Sequence, residues 1–407
     1  MKRSMQEFLT LAALSVAAMA QPEQPYLETK MENGSPLWWE LIGERQIRIH
    51  LVYDQERNSP NRAAGHIHTV LHASSGTVWI LEFTNLLNVW NGRPGSVAHE
   101  MSTLYVSPNG REWSPMATEI LHSNCVRLVV TMPGPCLHIA RVEPYRWSDL
   151  ERWMDELRRR PRVTVECIGR SVQGRPLEMI TVGPATAVRS IVLRARAHPW
   201  ESGGNWVVQG LLRRLISSDE ASQRLLSRCK VCVLPMANLD GVVAGWTRFN
   251  AHGADLNRKW DAPADPWLAP ENAAFEHWLE RELAANRRPA LLIDLHNDGH
   301  GKLHLPAGDE PALKEFRGRM ERWEAALRQS TWFSEGRSIF SNPGTFGEGI
   351  WTRYGLDAVV LELNANWIAS RSCPPSGALW EEFGAGLVAA FHDYLEFITT
   401  AEPAANH

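Results

Sequence analysis

Ser190-Ile-Val-Leu-Arg-Ala-Arg-Ala197, followed at once by His198-Pro-Trp-Glu201, is the stretch on which the fold turns. Its first part reads as a strand, and the residues from Glu201 on, with Trp206-Val-Val-Gln-Gly-Leu-Leu212, read as a helix. Further on, His296 ends the apolar run Leu291-Leu-Ile-Asp-Leu-His296, and Glu362 lies near the end of another, Val359-Val-Leu-Glu362. Open α/β sheets place their ligand chemistry beyond the carboxyl ends of the strands. Candidate residues at three such ends are therefore informative. Two imidazoles and a carboxylate, His198, Glu201 and His296, make a zinc set that leaves one coordination position open for water.

From about residue 163 onward strands and helices alternate, which predicts an α/β region: a doubly wound, mixed and mostly parallel sheet with helices over both faces. Residues 45–142 read differently. Gln46-Ile-Arg-Ile-His-Leu-Val52, Val78-Trp-Ile-Leu-Glu-Phe83, Leu121 to Met132 and Leu137-His-Ile-Ala140 all have strand character. Asn91-Gly-Arg-Pro94 and Pro108-Asn-Gly110 supply turns between them. An antiparallel β-sandwich is expected there. Between the two, Ser148 with Glu151 reads as a capping box opening a helix that Pro161 stops. The expected division is 1–20 a signal segment, 21–145 the sandwich, 146–398 the α/β domain and 399–407 a frayed tail.

The chain has 407 residues, 44% of them hydrophobic and 22% charged, enough for two domains and a large core. Its formal charge is −4, and Arg158-Arg-Arg160 is the longest basic run, so no nucleic-acid partner is indicated. Lys2, Arg3, an apolar stretch from Phe8 to Ala18 and Ala18-Met-Ala20 match a secretory signal, although Glu7 is unusual in one. Export, periplasmic or secreted, is expected, with a cytoplasmic protein as the alternative. No later run is long and apolar enough for a membrane span. Cys229-Lys-Val-Cys232 has metal or redox spacing but sits in an apolar strand-like run, which favours buried structural thiols. Cys125 and Cys136 could pair if the protein is exported.

His198-Pro-Trp-Glu201, Asn238-Leu-Asp-Gly241, Arg248, Asp255-Leu-Asn-Arg258, Asp294-Leu-His296 and Glu362, in this order, resemble the zinc carboxypeptidases of the funnelin clan. The branch they are most similar to is that of the cytosolic carboxypeptidases and their bacterial relatives, which have a β-sandwich before the catalytic domain. The resemblance implies one zinc ion per chain held by His198, Glu201 and His296. It implies Glu362 as general base and then general acid, and Arg248 beside the oxyanion. Asn257 and Arg258 would grip the terminal carboxylate of a peptide or protein substrate. The chemistry of these side chains agrees: a carboxylate can take the proton of attacking water, and a guanidinium matches a planar carboxylate in bidentate fashion. A carboxylate in a strand as apolar as Val359 to Leu363 costs about 2–5 kcal/mol unless it has a partner or a task. Asp294 is either a structural partner in the sheet or a group that orients His296.

Two features depart from that family. Its digestive members carry a mobile tyrosine on the loop before the general base, whereas Ser338-Ile-Phe-Ser-Asn-Pro-Gly-Thr345 has none and Tyr354 lies too near the strand. Its glutamate-removing members have a basic residue after a Gly-Thr pair; here Gly344-Thr-Phe-Gly-Glu-Gly-Ile-Trp351 offers Gly347 and Glu348. Glu348 could favour a basic or amine-bearing substrate, or be a loop-tip carboxylate in water. Among eighteen tryptophans, Trp200 and Trp367 are candidates to line a cleft. The expected activity is that of a hydrolase, a metallocarboxypeptidase. The alternatives are an amidase of the same fold acting on cell-wall peptides or another small amide, and a catalytically vestigial binding protein.

Overall fold

The computed structural model describes residues 24–217 and 219–401. The expected signal segment, 1–20, and residues 402–407 of the expected tail lie outside them. No helix among the described residues is long and apolar enough to cross a membrane.

Two hydrophobic cores divide the chain near Val142. The first is enclosed by two five-stranded sheets, one running Tyr26–Glu28, His68–His72, Cys136–Ala140, Thr103–Ser107 and Ser114–Ala117, the other Glu119–His122, Cys125–Thr131, Val78–Thr84, Gln46–Leu51 and Leu37–Gly43. Alternation drives the packing: Ile47, Ile49 and Leu51 turn inward from Gln46–Leu51 and meet Leu81, Phe83 and Leu128.

Three details differ from the expectation. Gln46–Leu51 runs parallel to Val78–Thr84, because the chain leaves this sheet, adds His68–His72 to the other one and returns in the same direction. The run Leu121 to Met132 is broken by a tight turn into the hairpin Glu119–His122 and Cys125–Thr131, with Asn124 Oδ1 accepting the Leu86 and Leu87 amides. Asp54–Gln55, Arg62–Ala63, Leu87–Trp90 and Arg93–Ser96 form an additional small sheet. Its last hairpin turns at Asn91 and Gly92, with φ 49° and 72°, the left-handed pair such two-residue loops need.

The second core surrounds an eight-stranded mixed sheet in the order Val163–Arg170, Pro176–Val182, Lys230–Leu234, Arg189–Ala195, Arg288–Asp298, Ala358–Asn364, Lys302–Leu305 and Arg337–Ile339. Its four middle strands, Lys230–Leu234 to Ala358–Asn364, are mutually parallel, and antiparallel pairs flank them. Helices Gly203–Ser217 and Pro311–Ser330 both pack on Gly377–Ala401. Pro270–Ala284 and Phe346–Tyr354 join through Phe275, Phe346 and Trp260. The last helix continues past Thr399, where fraying was expected.

The helix between the cores starts one residue before the expected position, at Trp147. Asp149, not Glu151, closes its first turn: its carboxylate accepts the Arg146 backbone N–H at 3.0 Å and the Arg146 Nε at 2.9 Å. Ser148 N–H instead donates to Glu32 at 2.9 Å. A bidentate guanidinium pair fixes Asp149 more firmly than a Ser hydroxyl could.

All six cysteines are free, and Cys125 and Cys136 lie in different sheets. Burial raises Cys229 to about 12 and Cys232 to about 11, so both are inert structural thiols.

The two cores are stitched by buried polar contacts. Asn33 N–H and Nδ2 donate to Val243 and Val242 carbonyls at 3.0 and 2.8 Å, and His66 N–H donates to Thr247 Oγ1 at 3.1 Å. Burial lowers His66 to about 4; burial, with His66 beside it, lowers His68 to about 3. Both folded values lie below the unfolded value near 6.5, so this stability is complete above that pH and is lost as pH falls towards 3–4. Each histidine should cost on the order of 2 kcal/mol between pH 7 and pH 5. The melting temperature should fall over that interval, and His68→Gln should flatten the dependence. An unchanged profile in the variant would assign acid sensitivity elsewhere.

Candidate metal centre and cleft

Strand Arg189–Ala195 ends in a sharp turn whose residue Arg196 has φ 63°. That left-handed conformation is strained for a non-glycine residue and is held from the side chain. Arg196 Nε donates to Pro199 O at 2.7 Å and Nη1 to Asn205 Oδ1 at 2.8 Å, which folds the loop His198–Glu201 back over the sheet. The following helix begins at Gly203, whose N–H donates to Asn297 Oδ1 at 2.9 Å. A Cβ there would stand 2.6 Å from Asn297 and 2.9 Å from Trp380, so only glycine lets the helix approach the residue after His296.

His296 and Glu362 are direct register partners on adjacent parallel strands. His198 Nδ1 is 2.8 Å from Glu201 Oε1 and 3.2 Å from His296 Nδ1, and His296 Nδ1 is 2.8 Å from Glu201 Oε2. The outer ring nitrogens are both engaged: His198 Nε2 donates to Asp255 Oδ1 at 3.1 Å, and His296 Nε2 to Asp294 Oδ2 at 2.9 Å. Those bonds leave both Nδ1 lone pairs and the Glu201 carboxylate pointing at one another. Such an arrangement repels itself unless a metal ion, or a proton on one Nδ1, lies between. The donor set therefore fits a zinc ion. Asp294 makes both contacts, accepting His296 Nε2 at 2.9 Å and, within the sheet, Arg194 Nη1 at 3.0 Å.

Burial would raise the Glu201 carboxyl, but His198 and His296 outweigh it and hold it far below the ordinary range. Burial would lower His296, but Asp294 and Glu201 raise it well above 6.5. Glu362 goes the other way: burial, with Asp298 and Glu201, raises it well above an ordinary carboxyl against His296 and Arg248. Its Oε2 is buried without a partner.

These groups face a cleft of about 310 Å³ lined by His198, Glu201, Arg248, Asn257, Arg258 and Glu362. His296, 1% exposed, lies behind the cleft surface and joins the cluster through Nδ1. Arg248 Nε donates to Asp255 Oδ2 at 2.7 Å, leaving its Nη groups without a hydrogen bond among the described residues. Burial opposes its charge, but Asp255 and Glu201 hold it ionised. Asn257 Oδ1 accepts the Phe346 amide at 2.9 Å, and Arg258 Nη1 donates to the Asn257 carbonyl at 2.8 Å.

Several partners escaped the sequence reading. Asp255, quoted above only as the first residue of Asp255-Leu-Asn-Arg258, orients both His198 and Arg248. Asp54, from the first core, accepts the Thr247, Arg248 and Phe249 amides at 3.2, 2.6 and 2.8 Å. Arg141 stacks 3.5 Å over the Trp200 ring and donates to Glu100 at 3.0 Å, so the N-terminal region forms one wall of the cleft. Of the two candidate tryptophans, Trp200 lines the cleft, whereas Trp367 is half exposed and does not. No tyrosine among the described residues lines it, and Glu276 and Glu280 hold the Tyr354 hydroxyl, each at 2.9 Å. Glu348 is not at a loop tip: it lies in the first turn of helix Phe346–Tyr354 and faces the cleft.

Residues 150–299 match the zinc carboxypeptidase family model. Over that stretch the chain matches as a zinc carboxypeptidase domain. Cytosolic carboxypeptidase 6 of Caenorhabditis elegans is 32% identical over 172 residues, covering 40% of this chain and 37% of the relative. An uncharacterized protein of Zymomonas mobilis is also 32% identical, over 162 residues, covering 39% and 41%. The matched part thus spans about two fifths of these relatives' length. The metallo-carboxypeptidase of Burkholderia cenocepacia superposes with a TM-score of 0.79 at 19% identity, over 92% of this chain and 100% of that one. That of Pseudomonas aeruginosa, solved with (2-guanidinoethylmercapto)succinic acid, gives 0.75 at 20% identity, over 91% and 99%. Both likenesses show the same zinc carboxypeptidase-like fold.

Proposed function

We propose that the chain is a zinc-dependent metallocarboxypeptidase that removes the last residue of a peptide or protein. The observation that carries this is the convergence of His198 Nδ1, His296 Nδ1 and the Glu201 carboxylate beside Glu362, in one cleft with two arginines. One zinc ion per chain would polarise the scissile carbonyl and acidify water there. Glu362, buried with a free oxygen, takes the proton of the attacking water and delivers it to the leaving amine. Arg248, steadied by Asp255 and by the Asp54 contacts to its backbone, donates to the developing oxyanion. Asn257 and Arg258 receive the substrate's α-carboxylate. Residues 21–145 and 146–398 would be two folding units, the first walling the cleft. Export rests on the first twenty residues; the cytosolic relatives support a cytoplasmic location instead.

Arg258 separates this reading from an amidase of the same fold. Loss of a charge-assisted pair costs about 1.5–3 kcal/mol. Arg258→Ala should therefore slow free-acid peptides roughly ten- to a hundredfold, with little effect on C-terminally amidated ones, which the wild type should turn over poorly. Equal turnover of acid and amide forms, unaltered by Arg258→Ala, would replace the carboxypeptidase reading by an amidase or endopeptidase.

A further inference from the structure

We infer that the cleft selects a C-terminal residue with a positively charged side chain, held between the Glu348 carboxylate and the His304 imidazole. This rests on the carboxypeptidase reading above. His304 lies on strand Lys302–Leu305 and pairs antiparallel with Val360, two residues before Glu362. Opposed residues of an antiparallel pair, and residues two apart on a strand, project to the same face. His304 and Val360 therefore look into the cleft with Glu362.

The His304 Nε2 is buried and has no hydrogen-bond partner. Phe340 packs edge-on against the ring with centroids 5.0 Å apart. The next residues of the chain hold Glu348: Asn342 N–H donates to Oε2 at 2.8 Å and Ser341 Oγ to Oε1 at 3.3 Å. Each carboxylate oxygen keeps a free lone pair. No Lys or Arg pairs with Glu348 among the described residues, so a half-buried anion faces the cleft without a counter-ion. Lys302, two residues before His304, does not line it.

The α-carboxylate anchor and this acid are physically joined. Asn257 Oδ1 takes the amide of Phe346, two residues before Glu348 on the same helix turn. A substrate carboxylate at Asn257 and Arg258 would thus direct its side chain towards Glu348 and His304. Burial lowers His304 to about 4, so its ring is neutral and one tautomer offers an Nε2 lone pair. An ammonium or guanidinium donates to that lone pair and neutralises Glu348. An apolar side chain leaves both unpaired, and a carboxylate is repelled. Gly347 contributes no competing side chain; a Cβ there would be 3.1 Å from the Val359 Cα.

The test is a set of peptides identical except for a C-terminal Lys, Arg, Gln, Leu or Glu, given to the zinc-loaded full chain. Lys- and Arg-ended peptides should show kcat/KM at least about tenfold above Leu, with Glu slowest. Glu348→Gln should lower the Lys-to-Leu ratio about tenfold, and His304→Leu should lower it in the same direction. Faster wild-type cleavage of Leu- or Glu-ended peptides, or an equal loss on every peptide in Glu348→Gln, would overturn the inference. If no peptide is cleaved, the carboxypeptidase reading fails, and binding decides the selectivity by itself. Calorimetry should then show (2-guanidinoethylmercapto)succinic acid binding at least about tenfold more tightly than (butylmercapto)succinic acid, with the gap closed in Glu348→Gln. Equal affinity for the two would overturn the inference without reference to catalysis.

Discussion

Glu362→Gln should cut hydrolysis at least roughly 10²-fold while zinc content stays at the wild-type level. The substitution keeps the shape of the side chain on strand Ala358–Asn364 and removes its ability to take a proton. Glu362 is not among the three residues that converge at the metal position, so the metal should not sense the change. Stability supplies a control. The Glu362 Oε2 is buried without a donor, and a neutral amide costs less to bury than a carboxylate. The variant's melting temperature at neutral pH should therefore not fall. If turnover collapses with no loss of zinc or stability, the carboxylate itself carries the proton. An active Glu362→Gln protein would move water activation to another residue, and Asp298, which lines the same cleft, would be the first to examine.

Position along the strands was legible because the signals there are local. An apolar run ending in His296, another holding Glu362, and a strand passing into a helix through His198-Pro-Trp-Glu201 are readable one after another along the chain. The arrangement that makes these residues act together was not. Asp255 reaches His198 across 57 positions, Asp54 reaches Arg248 across 194, and neither separation leaves a pattern in the sequence. Arg194 and Arg196 are the two charged residues in the otherwise apolar run Ile191 to Ala197. They are fully buried and bind Asp294, Asn272, Pro199 and Asn205, which fixes the strand end and its turn. Where local signals competed, the stronger interaction won. Ser148 and Glu151 have capping-box spacing, yet Asp149 takes that place because Arg146 grips it in bidentate fashion. The parallel pair in the sandwich was hidden for a different reason: alternation specifies which face a residue takes and says nothing about strand direction.

His296→Ala should empty the metal site and leave the fold intact. The substituted residue supplies one of three donors, and the remaining His198 and Glu201 sit on one short loop with nothing opposite them. Structural damage should be small because the outer partner keeps its other bond: Asp294 still accepts from Arg194 at 3.0 Å, so no buried charge is left alone. Asp294→Asn gives a graded version. It retains the imidazole but weakens the bond that presents Nδ1 to the metal, and loss of such a partner typically costs 10–100-fold in metal affinity. Protons compete for the same nitrogen, since Asp294 and Glu201 hold His296 well above its ordinary value, and zinc should be released as pH falls. Metal analysis after dialysis against a weak chelator, with near-ultraviolet circular dichroism to report packing, measures all three effects. Full zinc occupancy in a folded His296→Ala protein would exclude His296 from the ligand set. Unchanged affinity in Asp294→Asn would confine Asp294 to its bond with Arg194 inside the sheet.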